Sequence, residues 1–197
     1  GWLSYNIIIL IIKNKNTNFK SILVLAPHPD DEIIGVGGLV LQTLKNKGQV
    51  YITYLTDGEN SGAFLIKNEI KKQRISLSNQ VTNKLNINPE NISRLHLPDG
   101  KLPLNNENGF NDAVDLIRQQ IETIQPDAVF ATAKSDYWPY DHVACSQIAM
   151  EAIKKSTFKS DLWFYWVWTW YHLKPWQLLK VNFNKLYKIN ISMELTE

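Results

Sequence analysis

The sequence predicts an α/β protein: a Rossmann-like three-layer sandwich with a mostly parallel sheet and helices on both faces. The first observation is alternation, since short apolar runs of strand length are separated several times by longer segments with helical periodicity. The second is that polar, acid-bearing turns follow the apolar runs, where open α/β sheets bind ligands. The third is the absence of internal repeats and low-complexity linkers. We therefore expect one domain over residues 1–197, with truncation of its native ends left as an alternative.

Local apolar patterns define the predicted elements. Continuous apolar runs predict strands, and apolar positions that repeat every three or four residues predict helices. The predicted strands are 22–26, 49–55, 91–97, 128–132 and 162–171, and the predicted helices are 32–47, 63–85, 111–124 and 143–154. The second helix is expected to bury five apolar positions: Phe64, Ile70, Leu77, Val81 and Leu85.

The overall composition excludes several classes of protein. Lys and Arg number 21 against 19 Asp and Glu, so the net charge of +2 does not direct the chain to nucleic acid. A single cysteine, Cys145, leaves no disulfide partner and no multi-cysteine zinc site. These features favour a reducing, cytoplasmic location.

Two apolar segments near the ends of the chain have more than one interpretation. Residues 7–12 form an apolar run too short to span a bilayer, which needs roughly 20 residues. We interpret this run as a packing segment, with peripheral membrane association as the alternative. Five of the seven tryptophans lie between Trp163 and Trp176, which favours a two-sided buried strand or a contact in a homo-oligomer. A sugar-stacking wall and a membrane-interface belt are the alternatives.

The most informative stretch joins the first firm strand to the first helix and reads Pro27-His28-Pro29-Asp30-Asp31-Glu32. Acidic side chains suit the amino end of a helix, which accounts for one or two of these acids. It does not account for a histidine between two prolines beside them. A second polar turn, residues 134–142, follows the strand 128–132 and contains Asp141 and His142. Turns that follow two different parallel strands can meet at one rim of the sheet.

These two turns supply the donors of a catalytic metal site. Two histidines and one carboxylate, with water in the fourth position, form a zinc set. We predict that His28, Asp31 and His142 bind Zn²⁺, with Fe²⁺ as the alternative. Asp30 remains as a general base for a water whose pKa the zinc lowers to about 7. The same ion would polarise a carbonyl group, so the set predicts hydrolysis of an amide or ester.

The rival catalytic groups are weaker. No Gly-x-Ser-x-Gly elbow is present, and Cys145 lies one turn into a predicted helix among apolar neighbours. His96 lies in an apolar strand and His172 in the aromatic region, so we interpret both as packed or hydrogen-bonded side chains. A serine or cysteine nucleophile is therefore not expected.

Four motifs, taken in order over about residues 21–153, resemble the PIG-L/LmbE-like family of zinc-dependent N-acetylglucosamine de-N-acetylases. They are Pro27 to Glu32, Thr56-Asp57-Gly58, Leu97-Pro98-Asp99-Gly100 and Asp141-His142. The resemblance implies a Rossmann-like α/β fold and removal of acetyl or similar acyl groups from amino sugars. It also implies zinc on His28, Asp31 and His142 and a base at Asp30, in agreement with the ligand count.

The resemblance further implies that Arg74 contacts the substrate and that Asp99 holds a sugar hydroxyl. We group Asp141 with Asp30 as catalytic, although Asp141 alone would be a helix N-cap. The family often has a histidine where this chain has Pro139. That histidine stabilises the oxyanion or assists the leaving amine, so either Tyr137, Tyr140 or another group takes its part here, or activity is reduced. We place Tyr137 among the substrate-binding residues. A second departure is Leu77, which stands where relatives commonly have a glutamate.

We therefore expect a zinc hydrolase that deacetylates an N-acetylglucosamine-type amino sugar or its conjugate, with that small molecule as its partner. Two alternatives stay open. One is a metal-containing carbohydrate-binding protein with weakened turnover, suggested by Pro139 and the aromatic region. The other is a zinc amidohydrolase for a different acylated amine.

Overall fold

A computed structural model describes residues 13–15, 18–61, 66–136, 138–169 and 187–189. The strands are β1 (Lys13–Lys15), β2 (Ser21–Ala26), β3 (Gln49–Thr56), β4 (Ile92–Leu97), β5 (Ala128–Thr132), β6 (Asp161–Tyr165) and β7 (Tyr187–Ile189). The α-helices are α1 (Asp31–Lys45), α2 (Lys67–Lys84), α3 (Phe110–Ile124) and α4 (Tyr140–Lys155), and a 3₁₀ turn spans Pro89–Asn91. Predictions for residues 7–12, Phe64, Tyr137, His172 and Trp176 lie outside the described residues.

The main sheet has five strands in the order β4-β3-β2-β5-β6, and every pair of neighbours is parallel. A separate parallel pair joins β1 to β7. The chain runs outward from β2 through β3 to β4, then returns to place β5 on the other side of β2. The order therefore reverses between β2 and β5, and the carboxyl ends of these two strands flank the crevice where such sheets bind ligands.

Helices cover both faces of the sheet, which confirms the predicted Rossmann-like α/β fold. Alternate residues of β2 point to opposite faces, as the strand period of two requires. Leu23 and Leu25 pack into a core that includes residues of α3 and α4, whereas Ile22 and Val24 pack into a core that includes residues of α1. Within the described ranges, no helix has the length and apolar content that a membrane span requires.

The predicted core face of α2 is wrong at two positions. Leu77 is 60% exposed and Val81 is 36% exposed. The buried positions of α2 are Ile70, Ser78 and Thr82. The two hydroxyls donate to backbone carbonyls one turn earlier, which satisfies them inside the structure. A partly polar face, rather than an apolar stripe, therefore lies against the protein.

The aromatic region also differs from its prediction. The strand ends at Tyr165, and β6 is an edge strand with Phe164 exposed, so it is not a two-sided buried strand. After it, the backbone N–H groups of Val167, Trp168 and Thr169 donate to the carboxylate of Asp136. The predicted strand 162–171 is therefore too long, since it gives way to this turn after Tyr165. The homo-oligomer contact stays a prediction.

Candidate metal and catalytic site

The two polar turns meet where the strand order reverses. The ring centres of His28, which follows β2, and His142, in the first turn of α4, are 5.5 Å apart. Asp31, the first residue of α1, lies with them, and one donor atom of each residue falls within 4.8 Å of the others. All three side chains are buried. The structure thus brings together the three ligands that the sequence predicts, in a group that could hold a metal ion.

Asp31 is the centre of this group. Its Oδ2 atom lies 3.1 Å from Nδ1 of His28 and 3.2 Å from Nε2 of His142. The same oxygen accepts the backbone N–H of His28 at 2.9 Å. Burial favours the neutral acid, but the close approach of His142 and His28 outweighs it and holds the pKa of Asp31 well below its usual range. The group is therefore a carboxylate at neutral pH.

His142 presents a buried nitrogen that lacks a hydrogen-bond partner in the described part of the chain. This is Nε2, and its 3.2 Å approach to Asp31 does not have the geometry of a hydrogen bond. On the other side of the ring, Nδ1 lies 2.8 Å from Oδ2 of Asp136. A histidine held by a carboxylate at one nitrogen and free at the other is typical of metal ligation. The donor set therefore fits a divalent cation.

Asp136 is a residue of the candidate site that the sequence analysis missed. Its buried carboxylate accepts the backbone N–H groups of the turn after β6 and the hydroxyl of Thr169 at 2.7 Å. Burial favours the neutral acid, but hydrogen bonds, of which the one with His142 has the largest effect, lower the pKa of Asp136. The only signal in the sequence is that Asp136 shares the polar turn 134–142 with His142.

His28 faces a second acidic group with its other nitrogen. Nε2 lies 3.1 Å from Oδ1 of Asp99 and 3.1 Å from Oδ2 of Asp141. Burial opposes a proton on His28, but the hydrogen bonds to Asp141, Asp31 and Asp99 outweigh it and raise its pKa to about 11. One donor atom each of His28, Asp99 and Asp141 also lies within 4.8 Å of the others, so this second group could hold a metal ion too. We favour the set with His142, because only that set contains the unpartnered nitrogen.

Asp141 is fully buried, and its carboxylate connects His28 to the loop after β4. It accepts the backbone N–H of Gly100 at 2.6 Å and that of Leu102 at 3.0 Å. Asp99, in the same loop, accepts the N–H of Asn60 at 2.6 Å. The Asn60 side chain donates in turn to the carbonyl of Asp99. The loop that carries Asp99 is therefore fixed directly beside the candidate metal ligands.

Asp30 is beside this cluster but more open to solvent. Its side chain is 45% exposed against 1% for Asp31, and its Oδ2 accepts a hydrogen bond from Nη2 of Arg74 at 2.7 Å. Burial raises the pKa of Asp30, and the charge of Arg74 opposes that rise. Arg74 also donates to the carbonyl of Pro29 at 3.2 Å. The neighbouring acids Asp30 and Asp31 thus have different environments, one open to the crevice and one buried among histidines.

Gly58 explains how Arg74 reaches this turn. The residue has φ +69°, and a Cβ atom there would lie 2.7 Å from Nε of Arg74. Only glycine fits both the left-handed backbone and the close guanidinium. The Thr56-Asp57-Gly58 turn therefore supports the arginine that contacts Asp30.

The other residues considered in the sequence analysis are not part of this cluster in the described residues. Tyr137 lies outside the described residues. The hydroxyl of Tyr140 donates to Glu107 at 3.3 Å on the exposed surface. His96 is hydrogen-bonded to Asp57 at 2.8 Å, as expected of a non-ligand histidine. Cys145 is fully buried, and burial raises the pKa of its thiol to about 12, so it is not an available nucleophile.

A groove of about 470 Å³ adjoins Asp30 and Arg74 between α1 and α2. Its apolar lining residues are Ile33, Ile34, Ile70, Leu77 and Val81. Leu77 and Val81, which the sequence predicts as core, are therefore walls of this groove. It offers an apolar surface next to the candidate base.

Comparison with known proteins adds a family and several solved structures. The family described as PIG-L, GlcNAc-PI de-N-acetylase, matches residues 23–153. No curated protein sequence matches the chain. The N,N'-diacetylchitobiose deacetylase of Pyrococcus horikoshii is 21% identical with a TM-score of 0.65, covering 84% of this chain and 67% of that one.

Two further structures have the same fold. The conserved protein TT1542 of Thermus thermophilus is 26% identical with a TM-score of 0.60, covering 73% of this chain and 64% of that one. The 4-carboxy-2-hydroxymuconate hydratase GalB of Pseudomonas putida KT2440 is 18% identical with a TM-score of 0.60, covering 72% and 62%. The chain thus spans about two thirds of the length of these proteins. Because one of them is a hydratase, the fold alone does not define the reaction.

Proposed function

The chain belongs to the PIG-L family, the GlcNAc-PI de-N-acetylases, and from this membership we propose that it is a metal-dependent deacetylase of an N-acetylglucosamine-type amino sugar or its conjugate. One observation carries the proposal. The unpartnered Nε2 of buried His142 lies in one cluster with Asp31 and His28, and Asp30 stands beside that cluster in the crevice.

His28, Asp31 and His142 are the residues that would hold the metal ion. Two imidazoles and one carboxylate accept either Zn²⁺ or Fe²⁺, and zinc is our assignment. When bound, the ion would polarise the acetyl carbonyl and lower the pKa of a water, which could then give up a proton and attack. Asp136 keeps His142 in the tautomer that leaves Nε2 free for the ion.

Asp30 performs the proton transfers in this proposal. Its carboxylate takes one proton from the attacking water as the new C–O bond forms. It then gives that proton to the sugar nitrogen as the C–N bond breaks, so that the free amine and acetic acid leave, and the acid loses its proton to solvent as acetate. This second step needs no histidine at Pro139. Arg74, 2.7 Å from Asp30, aims the carboxylate and favours its charged form before substrate binds.

The proposed substrate contacts follow from where side chains lie relative to His28 and Asp30. Asp99 is buried in a fixed loop beside His28, which suits a hydrogen bond to a sugar hydroxyl. Asp141, fully buried and saturated by backbone donors, acts as a positioning residue for His28 and this loop rather than as a proton donor. The groove beside Asp30 takes the group attached to the sugar. A substrate contact from Tyr137 stays a prediction.

The second candidate is a metal-containing carbohydrate-binding protein with weak turnover. Pro139 at the position of the family's histidine favours it, as does the contact of Tyr140 with Glu107 on the surface. It differs from the first candidate in one measurable respect, because it binds zinc and sugar without releasing acetate.

The experiment is acetate release by the zinc-loaded full chain, measured on N-acetylglucosamine, N,N'-diacetylchitobiose and other acylated amines. We expect release from the amino sugars and a loss of at least about 100-fold in Asp30→Asn with zinc content unchanged. Asp112→Asn, on the exposed face of α3, is the matched control. Unchanged turnover in Asp30→Asn overturns the assigned base. Zinc and sugar binding without acetate release supports the second candidate.

A further inference from the structure

A buried carboxylate–phenol pair stands behind the candidate base. Glu32 and Tyr54 are both buried, and the Tyr54 hydroxyl donates to Oε1 of Glu32 at 2.9 Å. The other carboxylate oxygen, Oε2, accepts the backbone N–H of Asp30 at 3.0 Å. Tyr54 is on β3 and Glu32 is in the first turn of α1, so the pair links the centre of the sheet to the turn that holds Asp30.

The backbone of Asp30 needs such support. Its φ is 145°, a region that residues with a Cβ atom rarely adopt and that persists only where the surroundings enforce it. This conformation separates two adjacent carboxylates. Asp31 turns into the histidine cluster, whereas Asp30 turns outward to Arg74. Loss of the conformation would therefore move the base relative to the metal ligands.

Tyr54 is itself fixed from the side of α2. The guanidinium of Arg94 lies 4.4 Å from the centre of the Tyr54 ring. Nη2 of Arg94 donates to Oγ of Ser78 at 2.6 Å. Ser78 is one helical turn after Arg74, so α2 reaches Asp30 by two routes. Arg74 holds the carboxylate, and the series Ser78–Arg94–Tyr54–Glu32 holds the backbone N–H.

We propose that Glu32 and Tyr54 are positioning residues that hold the backbone of Asp30 in its left-handed conformation and so aim the base at the attacking water. The kinetic part of this inference rests on the proposed function. Tyr54 is assigned no contact with substrate or metal. Glu32 also borders the groove beside Asp30, and its proposed role is exerted through the N–H of Asp30. The hydroxyl of Tyr54 is the part of the pair that can be removed with least disturbance, because phenylalanine keeps the ring under Arg94.

The test compares Tyr54→Phe with Tyr51→Phe, which removes a hydroxyl from the same strand. Tyr51 donates to Gln49 at 2.6 Å and is not part of the site. We expect kcat to fall about tenfold in Tyr54→Phe, the scale seen for outer-shell residues, with KM and zinc content unchanged. We expect Tyr51→Phe to match the parent. A purely structural role would lower the melting temperature while leaving kcat of the folded protein unchanged.

Glu32 provides a rescue test. Glutamine can accept the Asp30 N–H through its carbonyl oxygen and donate to the Tyr54 oxygen through its amide. We therefore expect Glu32→Gln to retain most of the activity that Glu32→Ala loses. Equal loss in both variants would overturn positioning through this hydrogen bond.

Amide hydrogen exchange of Asp30, followed by NMR, tests the pair without any turnover. We expect the exchange rate to rise at least tenfold in Tyr54→Phe and to stay at the parental value in Tyr51→Phe. If the parent releases no acetate, the proposed function fails, while the exchange rate still decides whether the pair holds Asp30. Unchanged exchange in Tyr54→Phe overturns the inference.

Discussion

At the scale of single residues, the site works through acids that differ in their surroundings. Asp30 is open to the crevice and paired with Arg74, Asp31 is buried between two imidazoles, and Asp136 is buried behind His142. The same type of side chain therefore supplies the proposed base, a candidate ligand and a support for a candidate ligand. Which role each aspartate takes depends on its partners rather than on its chemistry.

Asp136→Asn should weaken zinc binding by about 10- to 100-fold, the usual effect of changing a carboxylate behind a metal-bound histidine. Asparagine keeps the size of the side chain but is uncharged. Its amide has only one oxygen that can accept the Nδ1–H of His142, and its NH2 group cannot accept. Zinc affinity would be measured by competition with a chromogenic chelator. Asp112→Asn serves as the control, and an unchanged zinc affinity in Asp136→Asn would contradict the role of Asp136.

At the scale of elements, the turns after β2, β3, β4 and β5 form one rim. Each turn makes a distinct contribution. Pro27 to Glu32 carries candidate ligands and the proposed base, Gly58 makes room for Arg74, and the 98–102 loop is fixed by Asp141. The helix α2 supplies Arg74 from its inner face and Leu77 to the groove from its outer side. A change in one turn should therefore affect its neighbour through a specific contact.

Gly58→Ala tests the contact between two of these turns. Both Gly58 and Gly109 have positive φ, but a Cβ atom at Gly58 would strike Arg74 and one at Gly109 would meet nothing within 4 Å. Each alanine should cost about 1–2 kcal/mol of unfolding free energy from its backbone conformation. Only Gly58→Ala should also lower kcat/KM for acetate release. Equal activity of the two variants would show that the position of Arg74 is unimportant.

Leu77→Asp tests the groove. Because Leu77 is 60% exposed, the substitution should change the free energy of unfolding by less than about 0.5 kcal/mol. It should raise KM roughly tenfold for an N-acetylglucosamine conjugate with an apolar group and leave KM for the free sugar unchanged. Leu116→Asp, at an exposed leucine of α3, is the matched control. If Leu77→Asp and Leu116→Asp have the same KM for the conjugate, the groove has no part in substrate binding.

At the scale of the whole molecule, the parallel sheet brings together residues that are distant in the chain. His28 and Asp141 are 113 positions apart, yet they meet because β5 returns to the side of β2. The candidate site therefore connects residues that follow β2 with residues that follow β5. Binding of a metal there should stabilise the entire fold by mass action.

The metal-free protein should lose stability as pH rises. The pKa of His28 is raised to about 11 and that of His142 is also raised, because hydrogen bonds to carboxylates outweigh burial. A raised pKa contributes stability that is full below about pH 6.5 and is lost as pH rises toward 11. The urea concentration at the midpoint of unfolding of chelator-treated protein should therefore decrease as the pH is raised from about 6.5 to about 9.5.

Zinc should reverse this trend, since it binds imidazoles only after they lose their protons. We expect zinc affinity to rise over the same pH range. At a free zinc concentration about 100 times its Kd, the added stability should be about 2.7 kcal/mol. His28→Gln should flatten the metal-free pH dependence, and a parent whose midpoint is independent of pH would contradict the buried ion pairs.

The sequence by itself determined the α/β fold class and the candidate ligand set. Apolar runs and helical periodicity follow from local burial, and the Pro27 to Glu32 turn is specific enough to mark its histidine and aspartates. The candidate base Asp30 and the candidate ligands could be named in this way, whereas Arg74 was named only through the family resemblance. The structure then places them at one rim of the sheet.

Only the tertiary structure decided the contacts that depend on which strands are neighbours. Asp136 is held beside His142 by the turn after β6, and Tyr54 of β3 supports Glu32 of α1, and no local pattern in the sequence connects these elements. Leu77 and Val81 have the periodicity of core residues, but they line a groove because the buried face of α2 carries Arg74 and Ser78 instead. Periodicity reports that a face is apolar, whereas the packing of the whole chain decides whether that face is covered.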